Sequence, residues 1–450
     1  MVVRDRGLCC LMAVVVIGAG ACSGPEAETG PPNILLISID ALRADHLGSY
    51  GYDRATSPAL DRLASKGVRF SRAFVNTHGT PPSHTTLLSS LYQETHRVGI
   101  DSDAAEGGGG YSIPNEVVLV QEILQQAGWL TVAVTGGGYM SAEFGFARGF
   151  EIFHDHAGGV VPATQKIIDI LADRNEDARP VFAFFHTYQV HSPYDPPEKY
   201  KGLFGEYEGR VEASSEALLA IQKSAGKLLT RADFEYLESL YDGEIRHTDT
   251  VIGRMLSTLE AEGFLDNTVV IVTADHGEEF GEHGGVLHGG KLFEELLRVP
   301  LIITGRGVPH GVTNPNLVSL IDIPPTILSL ASLPAPPEME GRDIFDTTND
   351  APWQKQRIFA QYGNRLYCVR APRWKLIHRP AIDGVKLFDL HRDPGERSNV
   401  RDRFPKVANA LLGELHVWRG ARPRLDLSPR APDELSPEKL EELRALGYVE

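Results

Sequence analysis

Short, unbroken apolar runs recur along the chain, separated by segments whose apolar residues fall at helical spacing. Residues 33–39 (NILLISI) follow two prolines and precede Asp40, and their isoleucine and leucine content predicts a strand covered on both faces. Across 114–127, Val117, Val120, Ile123 and Leu124 share one helical face, Gly128 ends the run, and 130–134 predicts the next strand. Residues 181–185 read as a third buried strand. Val251, Ile252, Met255, Leu256 and Leu259 have helical spacing closed by Gly263, and 269–272 is a further strand leading to Asp275. Repeated strand–helix units predict an α/β fold, a mostly parallel sheet with helices on both faces. Ligands of such sheets bind beyond the carboxyl ends of the strands, where Asp40 and Asp275 both fall.

After about residue 351 the rhythm changes. Residues 357–361, 366–370, 374–378 and 386–389 are short and closely spaced, which predicts a small antiparallel sheet. The chain therefore divides into a main domain over 33–350 and a C-terminal subdomain over 351–450. Its charged end, 436–450, reads as a surface helix or a loose terminus.

At 450 residues, 42% of them hydrophobic, the chain can bury a large core. A net charge of -16 excludes nucleic acid as a partner, because phosphate backbones need basic patches. An anionic substrate is still allowed, since one bound cation reverses the local potential. At the N-terminus, Arg4 and Arg6 precede an apolar run at 11–17, too short to span a bilayer, then Gly18-Ala19-Gly20-Ala21 and Cys22. This pattern predicts a signal peptide at 1–22 of the lipoprotein type, acylated at Cys22, and a tether at 23–32. The alternative is an ordinary signal peptide with Cys22 incidental. Either way the protein is expected to be exported to the periplasm or cell envelope, touching membrane only through a lipid on Cys22. Without Cys9, Cys10 and Cys22, Cys368 has no companion, so no disulfide framework is expected.

The chemistry is concentrated in four segments: Asp40 through Tyr50; Thr80-Pro81-Pro82-Ser83-His84; His191-Ser192-Pro193-Tyr194; and Asp275-His276-Gly277-Glu278 through Leu287-His288-Gly289-Gly290-Lys291. Carboxylates at two strand ends and an adjacent imidazole suit one divalent ion, zinc, manganese or calcium. Such an ion activates a hydroxyl and offsets charge on a transferring phosphoryl or sulfuryl group. Thr80, before two prolines and an apolar stretch, falls near a helix N-terminus, a position that favours anions. The plainer readings are a turn at Thr80, helix capping at Ser83 and His84, an ordinary exposed lysine at Lys291, an acid-paired Arg43 and a solvated His283.

Taken in order, these segments resemble the sulfatase family of the alkaline phosphatase superfamily, as do Arg298-Val299-Pro300, 322–326, and Leu387-Phe388-Asp389-Leu390 through Asp393-Pro394. The likeness implies that Asp40, Asp275 and His276 are metal ligands. It implies that Thr80 is the nucleophile and also contacts the metal. His191 and His288 become catalytic histidines at the ester oxygens, and His84 and Lys291 substrate contacts. The chain departs from the family in three places. Sulfatases proper carry Cys/Ser-x-Pro-x-Arg, whose first residue becomes formylglycine; here Thr80 and His84 stand there, so formylglycine is not expected. Ala41 replaces a second aspartate, and Gly136-Gly137-Gly138-Tyr139 replaces a Lys-x-His sulfate-binding motif. A threonine nucleophile with Asp-His-Gly-Glu and Leu-His-Gly also resembles lipopolysaccharide phosphoethanolamine transferases, and phosphonate monoester hydrolases share the overall pattern. The expectation is a hydrolase of sulfate or phosphate esters, with a phosphoryl-group transferase or a degenerate binding protein as alternatives.

Overall fold

The computed structural model describes residues 30–448, apart from 101–109, 156–157, 175–176, 225, 227–228, 347–354, 424 and 429–434. The leader at 1–22, Cys22, the tether up to residue 29 and the expected boundary near 351 lie outside the described residues.

Eleven of the described strands precede the C-terminal sheet: β1 (Asn33–Ile39), β2 (Val68–Phe74), β3 (Leu130–Thr135), β4 (Ile152–Asp155), β5 (Val181–Thr187), β6 (Thr268–Thr273), β7 (Glu279–Phe280), β8 (Val286–Leu287), β9 (Arg298–Val299), β10 (Leu301–Gly305) and β11 (Val312–Ser319). Nine form one sheet in the order β11-β2-β10-β6-β1-β5-β3-β4, with β9 paired to β2. β6, β1, β5, β3 and β4 run parallel to one another, and β10 runs against both β6 and β2. The central strand β1 lies between β5 and β6, and Ile34 to Ile37 are 0% exposed. Coverage on both faces is why the run shows no polar alternation.

Two helices differ from the pattern read along the chain. The helix expected over 114–127 occupies only Val120–Gln126. Glu122 accepts from Leu119 N at 2.8 Å and starts the helix there, while Arg148 donates to the carbonyls of Pro114 and Val117. Those carbonyls are thereby turned away from a helical ladder. The helix expected over 251–259 runs instead from Arg231 to Ala261, started by a box in which Thr230 and Asp233 cap each other's backbone N–H groups. Its middle buries Asp242, Glu244, His247 and Asp249, and these polar residues interrupt the apolar stripe that resumes at Val251.

β12 (Ile358–Tyr362), β13 (Leu366–Arg370), β14 (Trp374–Arg379) and β15 (Gly384–Asp389) form the antiparallel C-terminal sheet, in that order. The helix Pro405–Gly420 lays Ala408, Leu411, Leu415 and Trp418 against it. Cys368 in β13 is a free thiol, buried, and burial pushes its pKa up to about 12. The charged end is neither loose nor wholly superficial, because the helix Pro437–Ala445 buries Leu443 and leads to a half-buried Tyr448.

Candidate active site

The carboxyl ends of β3, β5, β1 and β6 deliver the site. Asp40 follows β1 directly and anchors its own N–H on Thr187 O at 3.0 Å. Ala41 then turns the chain with φ +58°, an unusual conformation for a residue with a side chain, and donates its N–H to Asp275 Oδ1 at 3.2 Å. His276 N gives the same oxygen a second bond at 3.0 Å. Thr80 is the first residue of the helix Thr80–Ser89, after Gly79 at φ +93°. A glycine there lets the chain enter the helix steeply. Thr80 Oγ1 donates to Asp40 Oδ2 at 3.1 Å, so strand end and helix start share one bond.

Three buried atoms are left over. Asp40 Oδ1, Asp275 Oδ2 and His276 Nε2 have no hydrogen-bond partner among the described residues, and all three side chains are 0% exposed. His276 Nδ1 donates to Gly277 O at 2.9 Å, which fixes its proton there and turns the Nε2 lone pair toward the two carboxylates. That nitrogen is 3.5 Å from Asp40 Oδ1 and 3.4 Å from Asp275 Oδ2. For metal–ligand bonds of about 2.1 Å a tetrahedral edge is about 3.4 Å, so the donor set fits a divalent cation. Electrostatics point the same way. Burial first, then the Asp40 charge, raises the Asp275 pKa, and although burial opposes it, Asp275 and Asp40 raise that of His276. Two buried carboxylates facing each other need positive charge between them.

Around this cluster stand the histidines. His191 Nδ1 donates to Ser192 O at 2.7 Å, leaving Nε2 facing inward, 3.2 Å from the Tyr448 hydroxyl. His288 Nδ1 pairs with Glu278 Oε1 at 3.0 Å, and its ring lies 4.1 Å from that of His276 and 5.0 Å from that of His191. Burial lowers both, His191 to about 4, so each presents an unprotonated nitrogen. Asp40, Thr80, His191, Asp275, His276 and His288 therefore converge as the sequence predicts.

His84 and Lys291 do not join them. His84 lies one turn beyond Thr80, and its ring turns back over the sheet. Nδ1 donates to Thr80 O at 2.9 Å and Nε2 meets Ser38 Oγ at 2.9 Å, which leaves no nitrogen for substrate. It braces the cluster from behind, 3.5 Å from Asp275 Oδ2. Lys291 pairs with Glu279 and with His283 O, because Glu279 caps the loop at His283 N and Gly285 N and needs a counter-charge. His283 is not solvated: it bonds Glu295 at 2.6 Å and stacks on Phe293 at 3.5 Å. Arg43 is acid-paired as expected, with Asp45 and Glu282.

Several site residues escape sequence reasoning. His186 Nε2 is 3.3 Å from Asp40 Oδ2, with Nδ1 accepting from Gly136 N at 3.2 Å. His78, buried two residues before Thr80, stacks on Tyr362 at 4.6 Å. Tyr448 brings its hydroxyl 2.8 Å from Thr80 Oγ1. His186 ends an apolar strand and reads as core, and Tyr448 closes a charged tail. The position of His78 just before Thr80 was the one signal available.

A mostly parallel sheet thus gathers two carboxylates, an imidazole and a hydroxyl at its carboxyl edge, the donors of a hydrolytic metal site. The chain belongs to the sulfatase family, whose model, described as Sulfatase, matches residues 32–333. A second model, described as N-sulphoglucosamine sulphohydrolase, C-terminal, matches 281–418. An N-acetylglucosamine-6-O-sulfatase of Bacteroides thetaiotaomicron is 24% identical over 87% of this chain and 86% of its own. An arylsulfatase of Clostridium perfringens is 23% identical over 85% and 94%. The solved phosphonate monoester hydrolase of Agrobacterium radiobacter superposes with a TM-score of 0.71 at 23% identity, covering 90% of this chain and 100% of that one.

Proposed function

We propose that the protein is a metal-dependent hydrolase of sulfate or phosphate esters in which Thr80 Oγ1 is the nucleophile. The observation that carries this reading is the convergence of three unpartnered, buried donor atoms beside that hydroxyl. Asp40, Asp275, His276 and Thr80 would hold the cation, which supplies positive charge to a developing anion and to an activated hydroxyl. Thr80 is set for attack because Asp40 Oδ2 fixes the direction of its O–H. An atom placed where the Tyr448 hydroxyl stands touches both Thr80 Oγ1 and His191 Nε2. That point suits a non-bridging oxygen of the attacked group, beside His191 Nε2, while the leaving oxygen departs on the side opposite Thr80 Oγ1. Thr80 Oγ1 forms the bond to phosphorus or sulfur, the bond to the ester oxygen breaks, and the alcohol leaves with the proton that Thr80 gave up. Water then cleaves the Thr80 ester and restores the hydroxyl. With threonine at this position phosphorus is the favoured centre.

The test is purified, metal-analysed protein against aryl sulfate, phosphate monoester, phosphate diester and phosphonate, beside Thr80→Ala. Turnover of at least one class should fall by about 10³-fold or more in the variant. Normal turnover by Thr80→Ala would exclude the nucleophile. We further infer export and lipid anchoring from residues 1–22, a reading checked by whether Cys22→Ala releases the protein from membranes of a bacterial host.

A further inference from the structure

The charged C-terminal stretch reaches the catalytic hydroxyl. Its helix starts at Ser436, whose side chain accepts from Lys439 N at 3.2 Å, and it buries Leu443. Glu442 Oε1 accepts from Gly138 N at 2.6 Å, and Ala445 O accepts from Ser215 Oγ at 2.8 Å. Gly447, at φ +79°, turns the chain so that Tyr448 enters beside Tyr139, with ring centroids 4.7 Å apart, and Tyr188, at 6.3 Å. There its hydroxyl bridges Thr80 Oγ1 and His191 Nε2.

The seat for this helix is Gly137 and Gly138, within the glycine triplet that stands where many sulfatases carry a Lys-x-His motif. A Cβ on Gly137 would lie 2.0 Å from Glu442 Oε1, and one on Gly138 would lie 2.6 Å from Leu446 Cδ1. A side chain at either position would displace the Glu442 carboxylate or the end of Leu446 from its present place. Between helix and body remains a cavity of about 400 Å³, bordered by Ala163, Tyr188, His191, Pro193, Glu442 and Leu446.

A phosphoryl or sulfuryl group attacked by Thr80 must bring its central atom within about 3–3.5 Å of Oγ1. The Tyr448 hydroxyl occupies that approach. We propose that Tyr448 is a specificity-determining gate: its phenol oxygen stands where a non-bridging oxygen of the attacked group binds, and substrate enters by displacing it. The alcohol part of the ester then takes the cavity beneath the helix. A space of that size is within the range of small-molecule pockets, and the docked helix roofs it, so the gate favours esters of small alcohols over chain-like polymers. This inference rests on the proposed function, since it names the substrate side of the same site.

The experiment measures binding of inorganic phosphate to metal-loaded protein by titration calorimetry, for the parent, Tyr448→Phe and Tyr448→Ala. Turnover of a one-ring aryl ester and of a sulfated or phosphorylated oligosaccharide is measured in parallel. Tyr448→Ala is expected to bind phosphate about tenfold tighter and to raise kcat/KM for the oligosaccharide relative to the aryl ester, with Tyr448→Phe in between. Unchanged phosphate affinity in both variants would overturn the gate. So would a hundredfold fall of kcat in Tyr448→Phe at unchanged phosphate affinity, which would make the hydroxyl part of the chemistry. Tighter phosphate binding in protein that turns over no ester would uphold the gate while rejecting the hydrolase reading.

Discussion

Asp275 gives one carboxylate oxygen to two backbone amides and keeps the other bare, facing the bare atoms of Asp40 and His276. Replacing it by asparagine turns a charged ligand into a neutral one and leaves Asp40 and His276 without their second anchor. Asp275→Asn should lower bound metal at least tenfold, read by elemental mass spectrometry on dialysed protein; full occupancy would contradict the ligand assignment. Glu244 tests a different balance. It is 2% exposed, bonded by Gln189 Nε2 and Asp195 N, and burial pushes its pKa up to about 7. A carboxyl raised in the fold favours the neutral form, so its contribution is present below the ordinary range and lost as pH rises through about 7. In urea unfolding from pH 5 to pH 8, the stability of Glu244→Gln should gain about 2–3 kcal/mol on the parent, and a pH-independent difference would refute the shift. At this scale Asp40, Asp275 and His276 were legible, because acids at strand ends beside an imidazole have few structural explanations. The direction of a ring was not: His84 shares the nucleophile's helix, yet the sequence does not say that it turns toward Ser38.

Among elements, the strands were the easiest to read, since a strand covered on both faces is apolar throughout. The helix Arg231–Ala261 was only half visible, because Asp242 and Asp249 are buried as partners, Asp242 of His46 and Arg54, Asp249 of the Ala59 and Leu60 amides. Buried polar partners belong to tertiary structure and leave no periodic trace. The docked C-terminal helix was hidden for the same reason, its seat being an absence of side chains at Gly137 and Gly138. Gly137→Ala, at φ +76° and facing Glu442, should undock the helix and speed hydrogen exchange over 437–448, with the central strands unaffected. Unchanged exchange there would contradict the seat.

For the molecule as a whole, the described residues from 31 to 448 form one compact unit, joined in part by a buried charge network. Lys375 of β14 is 0% exposed, with Nζ 3.2 Å from Glu294 Oε1 and 2.9 Å from Glu396 Oε1. Lys375→Ala would leave the buried Glu396 carboxylate without a cation and Glu294 with Arg370 alone, and should cost about 3 kcal/mol in denaturant unfolding; a loss under 1 kcal/mol would mean water reaches Glu396. The central claim is that Thr80 Oγ1 attacks the substrate, and acid-quenched turnover followed by peptide mass spectrometry tests it most directly. The account predicts one phosphoryl or sulfuryl group on the peptide holding Thr80, and on no other peptide. A group carried elsewhere, or turnover with Thr80 never labelled and Thr80→Ala fully active, would contradict it.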